Sequence, residues 1–385
     1  MKKLILILFT VLVLISPSSF NYSYADGEAV ISEDVMPELL KAKVLDVEHL
    51  ETDPDNPIFT ESMIVTIEIL NGEYKGQVFE VPHHLTGNVG YDIEVEPGSK
   101  VLVTVEELED GSVEISIAEF LRSTYVYVVA AIFIALILII GKMKGLKTIL
   151  TLMLTLFLVL KVLIPGLLAG YNPVTLTIGI SIVITLITVL TVGGINRKSY
   201  AAIIGVLGGV FAAGLIAYVI GTMVKLTGLS SEEAVMLMYI PQGVQFDFRG
   251  LLFSGIIIGA SGAVMDVGMS ISSSMEEIRN ADPTMSTKAL IMSGMNVGKD
   301  IMGTMANTLI LAYTGSSIPL LLLFTAYGED FTKIINLDII ATEIIRSFAG
   351  SIGLVLCIPI TALAFGILRE KSRKSDEIDI TIDKI

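Results

Sequence analysis

The sequence predicts a polytopic α-helical membrane protein of about seven spans, with eight as the alternative, preceded by a small all-β domain. Two observations lead to this fold class. The 385-residue chain is 53% hydrophobic and only 17% charged, whereas soluble domains are about 45–50% apolar and about 25% charged. Several apolar runs also approach the ~20 residues that a helix needs to cross a bilayer. The composition therefore excludes a single soluble domain.

The first element is an N-terminal targeting segment. Residues 1–25 begin with two lysines, continue with the apolar run Leu4–Ile15 and end on Ser23-Tyr24-Ala25. A basic start, a short apolar core and a small-x-small end are typical of a cleaved signal peptide. The alternative is an uncleaved anchor helix that extends through Phe20.

Residues 26–122 predict a small extracytoplasmic β-barrel, of OB-like or SH3-like type with five or six strands. Runs of alternating or β-branched residues are separated by turns such as Asn71-Gly72, Pro97-Gly98 and Asp110-Gly111. Residues 26–120 carry 23 Asp/Glu against 4 Lys/Arg, within a net charge of −15 for the chain. Acidic surfaces repel phosphate backbones, so we expect no nucleic acid partner. The predicted strands are Ser62–Leu70, Gln77–Val81, Lys100–Glu106 and Ser112–Ala118.

Residues 123–370 predict the transmembrane domain. The run Ile318–Tyr327 is too short to cross and is predicted as a re-entrant or interfacial helix, or as a continuation of the preceding span bent at Pro319. If it does cross, the chain has eight spans. The seven predicted spans are Thr124–Ile140, Leu146–Leu163, Val174–Val192, Tyr200–Val224, Gly250–Val267, Met292–Tyr313 and Ile344–Leu368.

Basic clusters set the predicted orientation. Lysines 142, 144 and 147, the pair Arg197-Lys198, and the basic residues 369–374 all fall on one side of a seven-span arrangement. Because cytoplasmic loops are enriched in Lys and Arg, we place these clusters inside the cell and residues 26–122 outside. The tail 371–385 is then cytoplasmic, and the protein is a multi-pass protein of the cell membrane.

The fifth predicted span carries Asp266, near its inner end. Gly255, Gly259 and Gly262 precede it at offsets of eleven, seven and four residues, which places all four positions on one helix face. Glycines allow close helix packing, so this face is predicted to meet another helix. In the alternative interpretation, Asp266 snorkels to cytoplasmic water.

The sixth predicted span holds the clearest functional pattern. Asn296, Asp300, Gly303 and Asn307 form one polar stripe on an apolar helix, and Lys299 lies beside it. Charges inside a membrane are costly and usually face protein or water. Asp266, Asn296, Lys299, Asp300 and Asn307 are therefore our candidates for ion coupling or solute passage. The alternative is a hydrogen-bonded packing seam in which Lys299 and Asp300 neutralise each other.

The remaining candidates are structural. Glu343 and Arg346, three residues apart at the outer start of the last span, are predicted to form an ion pair. The one cysteine, Cys357, excludes disulfide frameworks and cysteine metal sites. The sequence contains no phosphate-binding glycine loop and no His-Glu-x-x-His motif. We therefore expect no catalytic residues, no bound metal and no cofactor, and so no enzyme.

Four segments stand out along the chain: Leu70–Gln77, Gly193–Arg197, Gly262–Ser274 and Asn296–Leu309. They resemble the YibE/F family of multi-spanning bacterial membrane proteins, which pair an exported β domain with a polar segment late in the chain. The family is largely uncharacterised, so the resemblance implies no defined activity. Residues 260–368 also show a weaker, partial resemblance to SecD/SecF and resistance-nodulation-division exporters, which use intramembrane acids for proton coupling; Asp266 lines up with one of these acids.

These observations lead to one functional hypothesis and one rival. The chain is predicted to be a secondary transporter or exporter of an unidentified small solute, driven by protons or sodium ions, in the lipid bilayer. It would act alone, as a homo-oligomer or with a paired membrane subunit. The rival is a non-transporting scaffold or assembly factor whose outer β domain binds a partner at the cell surface; a channel is a third option.

Overall fold

A computed structural model describes residues 38–50, 59–107, 112–240 and 244–382. The predicted targeting segment 1–25 and the turn at Asp110-Gly111 lie outside the described residues. The chain folds as two compact units, the first reaching to Leu136 and the second starting at Ile137. The first unit holds the strands and the second holds most of the helices.

Five antiparallel strands form one sheet in the order β3-β2-β1-β4-β5. The outermost strands β3 and β5 also approach each other, so the sheet curls into a half-barrel. Side chains alternate between the buried inner face and the exposed outer face, as in Leu40, Ala42 and Val44 of β1. The strands are β1 Glu38–Leu50, β2 Glu61–Ile69, β3 Val78–Leu85, β4 Lys100–Glu107 and β5 Val113–Phe120.

The half-barrel confirms the predicted all-β domain and adds one strand to the four predicted runs. Strand β1 lies at the centre of the sheet, between β2 and β4, although it comes first in the chain. The turn after β2 needs glycine at residue 72, where φ is +77°. A Cβ at Gly72 would also lie too close to the side chain of Leu40.

The second unit is helical and makes the chain a multi-pass membrane protein. Five helices are long and apolar enough to cross a membrane, or six if α7 and α8, which meet at 59°, form one broken span. The predicted bend near Pro319 is therefore present between them. The helices are α1 Ser123–Leu158, α2 Ile164–Leu168, α3 Pro173–Gly193, α4 Arg197–Met223, α5 Glu232–Met236, α6 Phe248–Ala281, α7 Thr287–Ser316, α8 Ile318–Ala326, α9 Phe331–Ile335 and α10 Asp338–Ile382.

The structure has five or six candidate membrane spans instead of the predicted seven. The difference arises because the first two predicted spans lie in one helical run of 46 residues, Ser123–Leu168. The backbone of this run breaks at Lys142, where φ is 47°. Eight residues of straight helix would place Gly145 about 12 Å from Ile137. In the structure the two residues are in contact, since a Cβ at Gly145 would collide with the carbonyl oxygen of Ile137. The chain therefore turns sharply at Lys142, at the junction between the two predicted spans.

The core of the helical unit is built around α4, which packs against α6 and α10. Small residues allow the close approach: a Cβ at Gly209 would lie 2.6 Å from the carbonyl oxygen of Gly353 on α10. Helix α6 contributes Ala260, Val264 and Ile271, all fully buried. The central crossing is therefore made by backbone contacts that larger side chains would prevent.

Candidate functional site

Helix α6 turns its glycine-rich side away from the core. We use "α6 face" for the positions Gly255, Gly259, Gly262 and Asp266, all of which are exposed. The buried residues of α6 lie on the opposite side of the helix, roughly 180° away at 3.6 residues per turn. Because α6 starts and ends well beyond Asp266, this carboxylate lies near the middle of the helix.

Among the described residues, the glycines of the α6 face meet another helix only at Gly259, where Tyr313 of α7 approaches. A Cβ built at Gly255 or Gly262 would have nothing within 4 Å, and one at Gly259 would meet only the Tyr313 hydroxyl, at 2.9 Å. Among the described residues, the predicted close approach of a second helix is therefore absent at Gly255 and Gly262. The glycines leave a shallow surface that ends on the Asp266 carboxylate.

The polar stripe of α7 is also turned away from the core of the helical unit. We use "α7 face" for Asn296, Asp300, Gly303 and Asn307, and all four are exposed. The buried positions of α7 lie on the other side of the helix and pack against α6 and α10; a Cβ at Gly298, for instance, would collide with Ile358. The stripe therefore faces away from the rest of the chain.

Lys299 does not pair with Asp300. Adjacent residues of a helix point about 100° apart, and among the described residues neither Lys299, Asp300 nor Asp266 forms an ion pair. A charge at the centre of a membrane helix costs about 2.5–3.5 kcal/mol on insertion scales. Asp266 lies near the inner end of the apolar part of α6 and Asp300 near the middle of α7, so these faces need water or protein against them.

Glu343 and Arg346 lie near the start of α10. Arg346 Nη1 donates to Glu343 Oε1 at 2.7 Å, and the guanidinium lies 6.0 Å from the centre of the Tyr313 ring. The geometry is that of the ion pair expected from the sequence. The second carboxylate oxygen of Glu343, Oε2, is buried and has no hydrogen-bond partner in the described part of the chain.

Comparisons with known proteins identify the family. A family model described as YibE/F-like protein matches residues 129–371, and one described as the YibE/F family N-terminal domain matches residues 38–120. The chain belongs to the YibE/F family. No curated protein and no solved structure matches it, so the partial resemblance to SecD/SecF and the resistance-nodulation-division exporters stays an expectation.

Sequence reasoning missed a row of hydroxyl groups inside this YibE/F protein. Thr177, Ser181 and Thr185 follow each other at four-residue intervals on α3 and are almost fully buried. Their side-chain oxygens have no hydrogen-bond partner among the described residues. Ser181 also lines an apolar cavity of ≈350 Å³ between α3, α4 and α6. The four-residue spacing in an apolar span was the signal that could have revealed the row.

Two cavities of the helical unit lie apart from the candidate carboxylates Asp266 and Asp300. The cavity at Ser181 and a second one of ≈290 Å³ beside Glu343 are lined by neither Asp266 nor Asp300. Within the described ranges, no three His, Cys, Asp or Glu side chains are grouped as a metal ion would require. Asp266 and Asp300 are exposed and lie outside both of these cavities.

Proposed function

We propose that this YibE/F protein is an ion-coupled secondary transporter or exporter, without enzymatic activity, whose path runs along the α6 and α7 faces. The observation that carries the proposal is the position of Asp266 and Asp300, mid-helix and directed away from the core of their own chain. A carboxylate on a membrane helix exchanges protons or binds sodium ions when water reaches it. The asparagines of the α7 face provide polar groups along the same path.

A second copy of the chain is the simplest structure that covers these faces. Lys299 and Asp300 lie at opposite edges of the α7 face because they are about 100° apart. In a two-fold dimer each edge of one helix meets the other edge of its partner, so Lys299 of one copy would face Asp300 of the other. The same pairing would remove most of the cost of exposing both charges to lipid.

The experiment is a proteoliposome assay with a pH-sensitive dye or a voltage-sensitive dye inside the vesicles. The wild type should carry protons or sodium ions down an imposed gradient, and Asp300→Asn should abolish the signal. Asp282→Asn is the matched control, since Asp282 directly follows α6, lies outside the apolar segment and accepts a hydrogen bond from the Thr284 hydroxyl. Equal signals from wild type and Asp300→Asn would reject the proposal.

Cross-linking tests the second copy separately. A cysteine in place of Gly303 should give a disulfide-linked dimer in membranes, because this position lies on the α7 face. A cysteine in place of Phe211, which is 66% exposed on α4, should not. The native Cys357 is buried and does not interfere. Dimers from Phe211→Cys alone would place the contact elsewhere.

The scaffold remains the second candidate. The observation that favours it is that neither the cavity at Ser181 nor the cavity beside Glu343 is lined by Asp266 or Asp300. A scaffold would use the α6 and α7 faces to bind another membrane protein, and its acidic outer domain to bind a cell-surface partner. It would give cross-linked complexes but no ion flux in the proteoliposome assay.

A further inference from the structure

We propose that the pocket at the junction of the half-barrel and α1 binds the phosphate of an anionic phospholipid headgroup. This junction pocket measures ≈600 Å³ and lies between the start of β4, the end of β5 and the first turn of α1. All of it belongs to the first compact unit, which reaches to Leu136. The proposal does not depend on the transport path, because the α6 and α7 faces belong to other elements.

The first turn of α1 places the junction pocket at the surface of the bilayer. Thr124, Tyr125 and Val126 line the pocket, and the apolar run of α1 begins at these residues. Tyr125 and Tyr127 are 77% and 70% exposed, and tyrosine is enriched at the level of lipid headgroups. The most apolar stretch of the helical run Ser123–Leu168 has no buried residue against the described part of the chain. Acyl chains can therefore lie along α1 while their headgroup reaches the pocket.

The charged residues of the junction pocket are cations. Lys100 and Arg122 line it, and no Asp or Glu among the described residues does. This differs sharply from its surroundings, because residues 26–120 carry 23 Asp/Glu and 4 Lys/Arg. Both side chains are exposed, so a ligand can reach them. The pocket therefore favours a phosphate, whereas the outer domain as a whole repels an anionic surface.

A third cation lies beside the pocket. Lys43 of β1 is directly opposite Lys100 of β4 in the antiparallel pairing, and both are exposed on the outer face of the sheet. Like charges in directly opposite positions destabilise a sheet. On its other side Lys43 is opposite Glu68, but among the described residues neither lysine forms an ion pair. An anion beside the two lysines would reduce their repulsion.

Arg122 stays available to a phosphate although it pairs with Glu119. The two side chains are 67% and 55% exposed, and ion pairs at such exposure contribute little to stability. A guanidinium has five N–H donors and binds a phosphate through two parallel hydrogen bonds. Glu119 therefore competes with the phosphate for Arg122, and removing its charge should strengthen lipid binding.

A phospholipid fits the junction pocket better than a free phosphate ion does. The exposed side chains of Tyr125 and Val126 offer apolar contacts to the glycerol and acyl carbons of a lipid, and burying that surface adds to the affinity. Among lipids, the zwitterionic ones carry an ammonium group that Lys43, Lys100 and Arg122 repel. Phosphatidylglycerol, with a net negative headgroup, should therefore be preferred.

The test uses the full-length protein in phosphatidylcholine nanodiscs with a trace of phosphatidylglycerol that carries a photoactivatable diazirine in its acyl chain. Illumination should label residues 123–136, as mapped by peptide mass spectrometry. Unlabelled phosphatidylglycerol should suppress this labelling at a much lower fraction than phosphatidylethanolamine. Dissolved glycerol phosphate should not suppress it; suppression by glycerol phosphate would make a free phosphate the occupant and overturn the assignment to a lipid.

Substitutions of charge locate the site. Lys100→Gln and Arg122→Gln should each weaken the competition by phosphatidylglycerol about fivefold, the change expected for one basic residue near an anionic lipid. Glu119→Gln should strengthen it. Lys75→Gln and Glu114→Gln are the matched controls, because they change the charge equally at exposed positions in the β2–β3 turn and at the other end of β5.

Three results would contradict the proposal. Equal weakening by Lys75→Gln and Lys100→Gln would mean that only the general charge of the domain matters. Unchanged competition in the double variant of Lys100 and Arg122, or equal suppression by phosphatidylethanolamine and phosphatidylglycerol, would also overturn it. Circular dichroism should show wild-type folding in each variant, since Lys100→Gln keeps the hydrogen bond that the Leu121 N–H donates to the carbonyl oxygen of residue 100.

Discussion

The crossing of α4 and α10 gives the sharpest prediction, through the substitution Gly209→Ala. A Cβ at this position would lie 2.6 Å from the Gly353 carbonyl oxygen, 2.8 Å from Val264 Cγ1 and 3.0 Å from Cys357 Cβ. The nearest neighbour is backbone, which cannot rotate away, so the two helices must move apart. We expect Gly209→Ala to destabilise the helical unit.

The magnitude follows from two opposing effects. Overpacking a core costs about 1–3 kcal/mol, while replacing a helical glycine by alanine gains up to about 1 kcal/mol of helix propensity. The net loss in the free energy of unfolding should therefore be about 1–2 kcal/mol. The matched control is Gly255→Ala on the α6 face, where a Cβ meets nothing within 4 Å.

The assay is reversible unfolding of the detergent-purified protein by increasing fractions of sodium dodecyl sulfate, followed by circular dichroism. Gly209→Ala should unfold at a lower fraction than wild type, and Gly255→Ala at the same or a higher one. Equal destabilisation by both substitutions would refute the reasoning, because it would mean that the α6 face is as tightly packed as the α4–α10 crossing.

Three further predictions concern the outer domain and the orientation of the chain. Residues 26–122 expressed alone should be β-rich by circular dichroism, and Ile67→Ala should lower their free energy of unfolding by about 2–5 kcal/mol, because Ile67 is fully buried; a helical or aggregated product would contradict this. Hydrogen bonds from Thr86 hold the pKa of Asp92 below its usual 3.8. The ionised Asp92 carboxylate therefore stabilises the folded outer domain above pH 3.8, and this stabilisation is lost as the pH falls through the lower pKa of the folded state. Urea titrations should show this acid-dependent loss in the wild type and less of it in Asp92→Asn. Cysteines replacing Val89 and Ile195, which are 93% and 58% exposed, should be labelled from outside and from the cytoplasm respectively; labelling of both from one side would contradict the predicted orientation.

The candidate site shows which part of a membrane site a sequence can define. The spacing of Asn296, Asp300 and Asn307 placed these residues on one face of a helix, because the turn of a helix relates its own residues. The direction of that face depends on which side of α7 contacts α6 and α10. Gly298 makes that contact, against Ile358 and Ile271. No pattern within α7 alone shows whether the polar face points outward or forms a packing seam in the protein interior.

The same distinction between local and tertiary information applies to the fold. Apolar length and strand alternation determined the membrane class, the outer β domain and most element positions, because both signals are local to a segment. The central place of β1 depended on pairing with β2 and β4, although its alternating sequence around Lys41 and Lys43 carried a strand signal. Only the tertiary structure showed that Glu343 lines a mainly apolar cavity, since the walls of this cavity come from four consecutive helices, α7 to α10, whose packing against one another no single segment determines.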